Sequence, residues 1–419
     1  MIRLLIFILL LLAIDLYAFQ GLRFLTRNST SSASSILTYL FWSVSAICVL
    51  IIIIANTSQT VDWPKALRVY LFASIFILVL SKVIFSVFLL TDDIIRGVRY
   101  TLSYFSSLIN STEAELVKNP ISRSEFLVRT GLIIGSIPFF SLIYGMVKGA
   151  YDYQVRNIKI KSSRLGASFH KFRIVQISDL HLGSFNTTEP LKKAIELIQD
   201  QKPDLIVFSG DLVNNTADET YRFKELLKTI KAPYGVYSVL GNHDYGDYVR
   251  WNNQEEKNRN LEELINMHRQ SGWNILMDQN AIIEKGEDRI NIIGVQNWSA
   301  QGRFKRYGDL AKANQSIDSN LFSLLISHDP SHWKEEVIEN YQHIDLTLSG
   351  HTHGFQFGID IPGFKWSPVQ YVYKEWAGLY NENKQQLYVN RGLGFLGYPG
   401  RVGILPEITV FELESENLA

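Results

Sequence analysis

Hydrophobic side chains crowd the first 150 positions of the chain and then give way to short apolar runs between polar segments, so the pattern predicts two regions of different character. In the first region, four runs at about 4–19, 37–55, 69–90 and 131–147 have roughly the length and apolarity that a bilayer-crossing helix needs. Four such runs in succession ahead of a polar region are not the pattern of core helices in a soluble protein. The fourth contains Gly135 and Pro138, which membrane helices tolerate because their neighbours satisfy the freed backbone groups. The first resembles a signal peptide in having Arg3 ahead of a leucine-rich stretch, but Asp15 and the unsuitable cleavage residues Leu16, Tyr17 and Ala18 favour its retention. Between the third and fourth runs, residues 91–125 read as a loop. Within it, positions 94–102 carry apolar and basic residues at helical spacing, as an interfacial helix or a solvated connector would.

The second region alternates strand-like and helix-like segments. Strands are expected at 153–161, 172–178, 205–208 and 235–240, with helices at 189–201 and about 220–230 between them. The stretch 245–280 departs from this rhythm. It is polar and aromatic at first, with Tyr248 and Trp251, then helical over about 261–270, and reads as an insertion. Strands resume at 281–283, 290–295, 321–327, 344–348, 386–390 and 408–413. The alternation predicts an α/β domain.

Composition narrows the function. There are 41 basic and 41 acidic side chains and no basic patch of the kind nucleic acid requires. The single cysteine, Cys48, lies in an apolar run, which excludes an intrachain disulfide framework and a thiolate metal site. With four spans, one side of the membrane carries Arg3, Lys65, Arg68, Lys148, Arg156, Lys159, Lys161 and Arg164. The other carries Arg23, Arg27, Arg96, Arg99, Lys118, Arg123 and Arg129, a near balance that leans slightly toward a cytoplasmic C-terminal domain.

The chemistry collects where strands end. The strand at 172–178 runs into Asp179-Leu180-His181, that at 205–208 into Ser209-Gly210-Asp211, and that at 235–240 into Gly241-Asn242-His243-Asp244. The strand at 321–327 runs into His328, and that at 344–348 into Ser349-Gly350-His351-Thr352-His353-Gly354. Any one of these residues is commonly a cap or turn former. Five strand ends all bearing Asp, Asn or His are another matter, because open α/β sheets assemble their sites at the carboxyl ends of strands. Imidazole, carboxylate and amide donors together point to a metal site.

In this order, Asp179-x-His181, Gly210-Asp211, Gly241-Asn242-His243-Asp244, His328 and Gly350-His351-x-His353 resemble the calcineurin-like metallophosphoesterases, over roughly residues 172–413. The stretch 174–181, Asn390-Arg391-Gly392-Leu393-Gly394 and Pro406-Glu407-Ile408 are similar to the family's membrane-associated bacterial branch. The resemblance implies a four-helix transmembrane region over 1–150, followed over 151–419 by a metallophosphoesterase β-sandwich flanked by helices. It further implies two divalent metal ions (Mn, Fe or Zn). Asp179, His181, Asp211 and His353 would hold one, Asp211, Asn242, His328 and His351 the other, and Asp211 would bridge them. His243 would be the general acid, with Asp244 orienting or charging it. Arg391 would contact phosphate or serve structure, and His170, His268, His332 and His343 are expected on the surface or on helix faces. Phe355 departs from the family pattern, which has a second glycine there.

The resulting expectation is an integral membrane protein, of a bacterial inner membrane, that cleaves a phosphoester or phosphoanhydride bond. Its partners are the lipid bilayer and a phosphate-containing substrate, for which a membrane lipid suits a tethered domain. A soluble nucleotide or phosphodiester is the alternative substrate, and a non-catalytic phosphate-binding receptor module the alternative class.

Overall fold

The computed structural model describes residues 2–57, 63–109 and 123–416. The chain divides into two compact units, residues 1–143 and 144–419.

The first unit is built from helices α1 (Ile2–Leu25), α2 (Ser31–Thr57), α3 (Lys65–Ile109) and most of α4 (Glu125–Val147). All four are long and apolar enough to cross a membrane. Their apolar residues are largely on the outside, Leu9, Leu10, Phe76 and Ile133 among them, which suits lipid rather than water. Where helices meet, Gly21 and Gly131 lie against the rings of Phe85 and Phe88 and allow the close approach that membrane helices use in place of a hydrophobic driving force. Inside, Lys82 reaches the Asp15 carboxylate at 2.6 Å and the Ser45 hydroxyl at 2.9 Å, tying α3 to α1 and α2.

The expected loop after the third span is helical instead. Helix α3 continues to Ile109, so 94–102 belongs to the same helix, and only the part of the expected loop at 110–122 lies outside the described residues. The charges that read as a loop have partners. Asp93 accepts from the Tyr17 hydroxyl at 2.6 Å, Arg96 pairs with Asp92 one turn back, and Asp92 accepts from the Ser124 amide at 3.0 Å.

The second unit packs two six-stranded sheets face to face. The strands are β1 (Gln154–Ser162), β2 (Arg173–Ile177), β3 (Leu205–Phe208), β4 (Val236–Ser238), β5 (Asn274–Ile275), β6 (Gln279–Lys285) and β7 (Asp288–Gly294). They continue with β8 (Phe322–Ile326), β9 (Leu346–Ser349), β10 (Ile359–Ile361), β11 (Phe364–Trp366), β12 (Gly378–Glu382), β13 (Gln385–Val389) and β14 (Glu407–Ser415). One sheet runs β1-β14-β2-β3-β4-β5 and the other β12-β13-β9-β8-β7-β6, while β10 and β11 form a separate hairpin. Strands β2 to β5 are parallel, as are β7, β8, β9 and β13.

Between the sheets lies a core that includes Ile174, Val207, Ile292, Leu324, Leu348 and Phe411. The outer face of the first sheet is covered by α5 (Glu189–Asp200), through Leu191, Ala194 and Ile198, and by α7 (Gln254–Gln270), through Leu264 and Met267. The outer face of the second packs Ile293, Leu325 and Val389 against Trp333 and Val337. This is the helix-flanked sandwich expected from the sequence.

Two local expectations are corrected. The helix at 220–230 is a 3₁₀ stretch, Ala217–Phe223, followed by the single-turn α6 (Lys224–Leu227). The Thr220 hydroxyl closes back on the Ala217 carbonyl at 2.6 Å. The stretch 245–280 is not merely an insertion. After the Asn253 side chain caps α7 at the Glu256 amide, the chain supplies β5, the edge strand of the first sheet.

Candidate metal centre

Parallel pairing puts the C-terminal ends of β2, β3 and β4 side by side in one sheet and those of β8 and β9 side by side in the other. The expected residues follow these ends and meet between the sheets. Asp179, His181 and His353 form one cluster of metal-competent side chains and Asp211, His328 and His351 a second, the ligand atoms within each lying no more than 4.8 Å apart. His181 Nε2 is 3.1 Å from His353 Nε2 and 3.6 Å from Asp211 Oδ2, and the same Asp211 oxygen is 3.1 Å from His328 Nε2. His353 Nε2 is 3.2 Å from Asp179 Oδ1, and Asn242 Oδ1 is 2.7 Å from His351 Nδ1. Asp211 Oδ2, a member of the second cluster, therefore also borders the first through His181.

Hydrogen bonds on the outer side of each ring test whether a cation suits this space. The Val213 carbonyl lies 3.1 Å from His181 Nδ1 and the Ser209 carbonyl 2.8 Å from His328 Nδ1, so both Nδ1 atoms carry the proton and both Nε2 lone pairs face inward. His351 Nε2 sits 2.9 Å from the Tyr373 hydroxyl, which in turn donates to Asp329 Oδ2 at 3.1 Å, leaving the His351 Nδ1 lone pair toward Asn242 Oδ1. Asn242 Nδ2 donates to the Tyr248 hydroxyl at 2.8 Å, which fixes its oxygen as the inward atom. Lone pairs and carboxylate oxygens thus confront one another at close range. His328 Nε2 is fully buried, with the Asp211 carboxylate 3.1 Å away. Such a donor set fits divalent cations, with the outer hydrogen bonds holding each ring as metal sites require.

The electrostatics agree. Against the upward push of burial, His353 holds the Asp179 carboxyl well below the ordinary range, and His328 and His243 do the same for Asp211. Burial lowers His328, but Asp211 and Asp179 outweigh it and raise the ring to about 10, so in the bare chain a proton is held where the carboxylates demand positive charge.

The backbone is strained at this place. Asp179, His181, Asp211, His351 and His353 all have φ between +43° and +71°, a region costly for residues with a Cβ. A side chain at Gly241 would collide with the Asp211 carboxylate and one at Gly350 with Ser178 and Asp179, so these positions let the loops approach the acids.

Two family models match the chain, "Probable Calcineurin-like phosphoesterase, transmembrane domain" over residues 2–150 and "Calcineurin-like phosphoesterase" over residues 172–355. The uncharacterized metallophosphoesterase YkuE of Bacillus subtilis (strain 168) is 34% identical over 264 residues, covering 62% of this chain and 84% of that protein. The chain belongs to the calcineurin-like metallophosphoesterases. It is also similar to the UDP-2,3-diacylglucosamine pyrophosphatase LpxG of Chlamydia trachomatis serovar D, at 30% identity over 54% of this chain and 79% of that one. The phosphodiesterase YaeI of Escherichia coli (strain K12) is 28% identical over 70% of this chain and 99% of that one. The protein is accordingly a metal-dependent phosphoesterase, a hydrolase carried by a transmembrane domain.

Within this metallophosphoesterase several side chains do something other than the sequence suggested. Asp244 does not face His243. Its oxygens accept the amides of Asp211 (3.0 Å), Leu212 (2.8 Å), Val213 (3.2 Å) and Gly241 (2.9 Å), clamping the loop that carries Asp211. Burial and the adjacent Asp211 push its carboxyl up to about 7, opposed by those amides. His243 Nδ1 meets the Asn214 carbonyl at 2.7 Å instead. Of the two roles expected for Arg391, the contacts are those of the structural one, since it is buried between Glu407 and Asp360, the latter at 2.9 Å. Of the two settings expected, His268 and His332 take the helix face, His268 in α7, and both are buried there, each bonded through Nδ1 to a serine hydroxyl, Ser238 and Ser327. His170 and His343 are half-buried.

Five residues that matter here were given no place in the site by the sequence reading. Asp329 and Tyr373 hold His351; an Asp directly after His328 was the available signal. Arg401 is fully buried with Nη2 3.2 Å from His353 Nδ1 and 2.5 Å from the Gly394 carbonyl. Phe304 sets its ring edge-on to His351 at 4.7 Å between centroids. Beside it the Arg303 guanidinium covers the Phe304 ring, 4.7 Å from its centroid.

Proposed function

We propose that the protein is a two-metal hydrolase of a phosphoester or phosphoanhydride bond in a lipid-linked substrate. In this reading Asp179, His181, Asp211 and His353 hold one divalent ion (Mn, Fe or Zn), and Asp211, Asn242, His328 and His351 hold the other. The observation that carries it is the pair of neighbouring clusters joined where Asp211 Oδ2 lies between His181 and His328, with Nε2 of both rings turned inward by carbonyls on Nδ1. When bound, two such cations supply Lewis-acid charge for phosphate oxygens and lower the pKa of a water.

The chain's own residues supply the remainder. Asn242 and the histidines are neutral ligands, so the acids cancel only part of the cationic charge and an anionic group remains welcome. His243 is the acid for the leaving oxygen. The Asn214 carbonyl holds its Nδ1 proton and turns Nε2 toward the reacting group. Tyr248, its ring tilted against His243 at 4.6 Å between centroids, and Phe304, edge-on to His351, flank the site and exclude water around the scissile bond. Arg303, over the Phe304 ring, offers its charge to a second anionic group.

Two features support the lipid-linked substrate: four apolar helices on the same chain, and the pyrophosphatase LpxG, whose substrate is a diacylated sugar nucleotide, among its relatives. The slight excess of Lys and Arg favours a cytoplasmic catalytic unit in a bacterial inner membrane. The test uses the full-length chain in nanodiscs with each metal in turn. UDP-2,3-diacylglucosamine, bis(p-nitrophenyl) phosphate and a soluble dinucleotide are offered in parallel. Turnover of the lipid-linked pyrophosphate above the dinucleotide supports the reading. The reverse preference moves it to a soluble phosphodiester, and no turnover with any metal while phosphate still binds would leave a receptor module.

A further inference from the structure

The β10–β11 hairpin is inside out. Its register pairs Ile359 with Trp366, Asp360 with Lys365 and Ile361 with Phe364, so the apolar residues share one face and the charged pair the other. A hairpin resting on a soluble domain turns its apolar face inward. Here it is the charged tips that find partners on the unit: half-buried Asp360 accepts from Arg156 at 2.6 Å and Arg391 at 2.9 Å, and the ammonium of Lys365, whose stem is exposed, donates to the Ala377 carbonyl. The apolar face is left outside, with Ile359 43%, Ile361 57% and Phe364 53% exposed. A one-residue slip in register would reverse this, but the ion pairs of Asp360 oppose it. Neighbouring segments add to the apolar surface. Tyr371 is 77% exposed, with its hydroxyl 3.4 Å from Trp366 Nε1, and Val372 follows it. Phe355, exposed and held at φ +59°, comes two residues after His353.

The position of this hairpin in the unit says what covers it. The second unit begins with Tyr144 to Val147, the last turn of α4, one of the four helices fit to cross the membrane. That turn is seated on the 398–402 segment. The Arg401 amide donates to the Gly145 carbonyl at 3.1 Å, and a side chain at Gly145 would meet Val402 at 2.6 Å. Val402 in turn accepts from the Gly358 amide at 2.9 Å and donates to the Gln356 carbonyl at 2.8 Å, and β10 starts at the next residue, Ile359. The outward apolar face is thus tied, through two short segments, to the point where the chain leaves the bilayer. Exposed patches of this kind on a tethered unit mark a membrane contact.

We propose that the β10–β11 hairpin, with Phe355, Tyr371 and Val372, inserts its apolar face into the lipid surface. This contact holds the entrance of the metal centre at the interface, where a lipid-linked phosphate can reach His353 and its neighbours without leaving the membrane. The occupant is lipid, and the consequence for substrate rests on the lipid-linked reading above.

The test uses the full chain in nanodiscs on a Cys48→Ser background, with a nitroxide label at Phe364→Cys, at Ile361→Cys or at Tyr221→Cys, an exposed position on a different part of the unit. Relaxation by oxygen, which partitions into lipid, is compared with relaxation by a water-soluble nickel chelate. The expected result is oxygen-dominated relaxation at positions 364 and 361 and nickel-dominated relaxation at 221. Nickel-dominated relaxation at all three overturns the proposal, as does shielding of 364 and 361 from both reagents, which would mean a protein partner such as a second copy. In a second arm, Ile361→Ser combined with Phe364→Ser is expected to lower turnover of the vesicle-embedded pyrophosphate about tenfold or more while bis(p-nitrophenyl) phosphate turnover is unchanged. If the lipid-linked pyrophosphate is not a substrate at all, the function reading fails, and the label experiment still decides the hairpin.

Discussion

Asp244→Asn separates two roles for a residue that sits beside the candidate acid. The carboxylate is fully buried and takes four backbone amides, two on each oxygen, from the loop bearing Asp211 and from Gly241. Asparagine keeps one oxygen and presents an NH2 group to the other two amides, leaving two buried donors unsatisfied. At about 1–3 kcal/mol per unsatisfied donor the loss is roughly 2–6 kcal/mol. At about 2–4 °C per kcal/mol for a unit of this size, that lowers its melting temperature by roughly 4–24 °C. The same loss loosens Asp211, where the two clusters meet, so metal content falls with stability. The assay is full-length protein in nanodiscs, with melting followed by intrinsic fluorescence and bound metal counted by mass spectrometry. His243→Ala serves as the comparison. A variant with wild-type melting and wild-type metal but lost turnover would refute the clamp and return Asp244 to the role of orienting His243.

Other expectations follow from individual contacts. Asp211→Asn is expected to lose both metal occupancy and turnover, whereas His243→Ala retains metal and loses turnover by about 10²–10⁴-fold; metal analysis beside bis(p-nitrophenyl) phosphate kinetics checks both. Arg303→Ala is expected to raise KM about 10–100-fold for a substrate with a second charged phosphate, the worth of one charge-assisted hydrogen bond, and to leave KM for bis(p-nitrophenyl) phosphate nearly unchanged. An equal change for both substrates would remove Arg303 from recognition. His268 is buried and lowered to about 3 by burial, so only the unfolded chain takes up its proton below about pH 6.5. Its contribution is therefore complete above pH 6.5 and is lost as pH falls, by about 2–3 kcal/mol at pH 4.5. Denaturation curves of His268→Gln should slope less than wild type between these pH values, and parallel curves would count against the assignment.

The sandwich and the convergence of these side chains were legible because the same physics wrote both signals. Buried parallel strands are continuous β-branched runs, and a loop that must turn sharply at their ends to bring an acid or imidazole inward leaves a short motif after each run. Hence β3 was read at its observed bounds, and Asp179, His181, Asp211, Asn242, His328, His351 and His353 met as expected. What the sequence hid were partnerships across distance. Asp92, Asp93 and Arg96 look like loop residues until Tyr17 and Ser124 are seen to satisfy the acids, and then α3 has no reason to stop. Asp244 looks like the partner of its neighbour His243 until the amides of 211–213 are found against it. His268 and His332 carry no local sign of burial, because a neutral imidazole needs only one serine hydroxyl to be satisfied inside. The β10–β11 hairpin was missed since its alternation, Ile-Asp-Ile and Phe-Lys-Trp, is too short to stand out, and its inverted orientation is set by Arg156 and Arg391 from remote segments.

The central claim is that Asp211 joins two cations in one centre, and the most direct measurement is electron paramagnetic resonance of the manganese-loaded full-length protein together with its metal count. The account predicts two manganese ions per chain and the broadened multiline signal of an exchange-coupled pair, lost in Asp211→Asn. One ion per chain with the simple six-line signal of isolated manganese, or a coupled pair that survives Asp211→Asn, would contradict it.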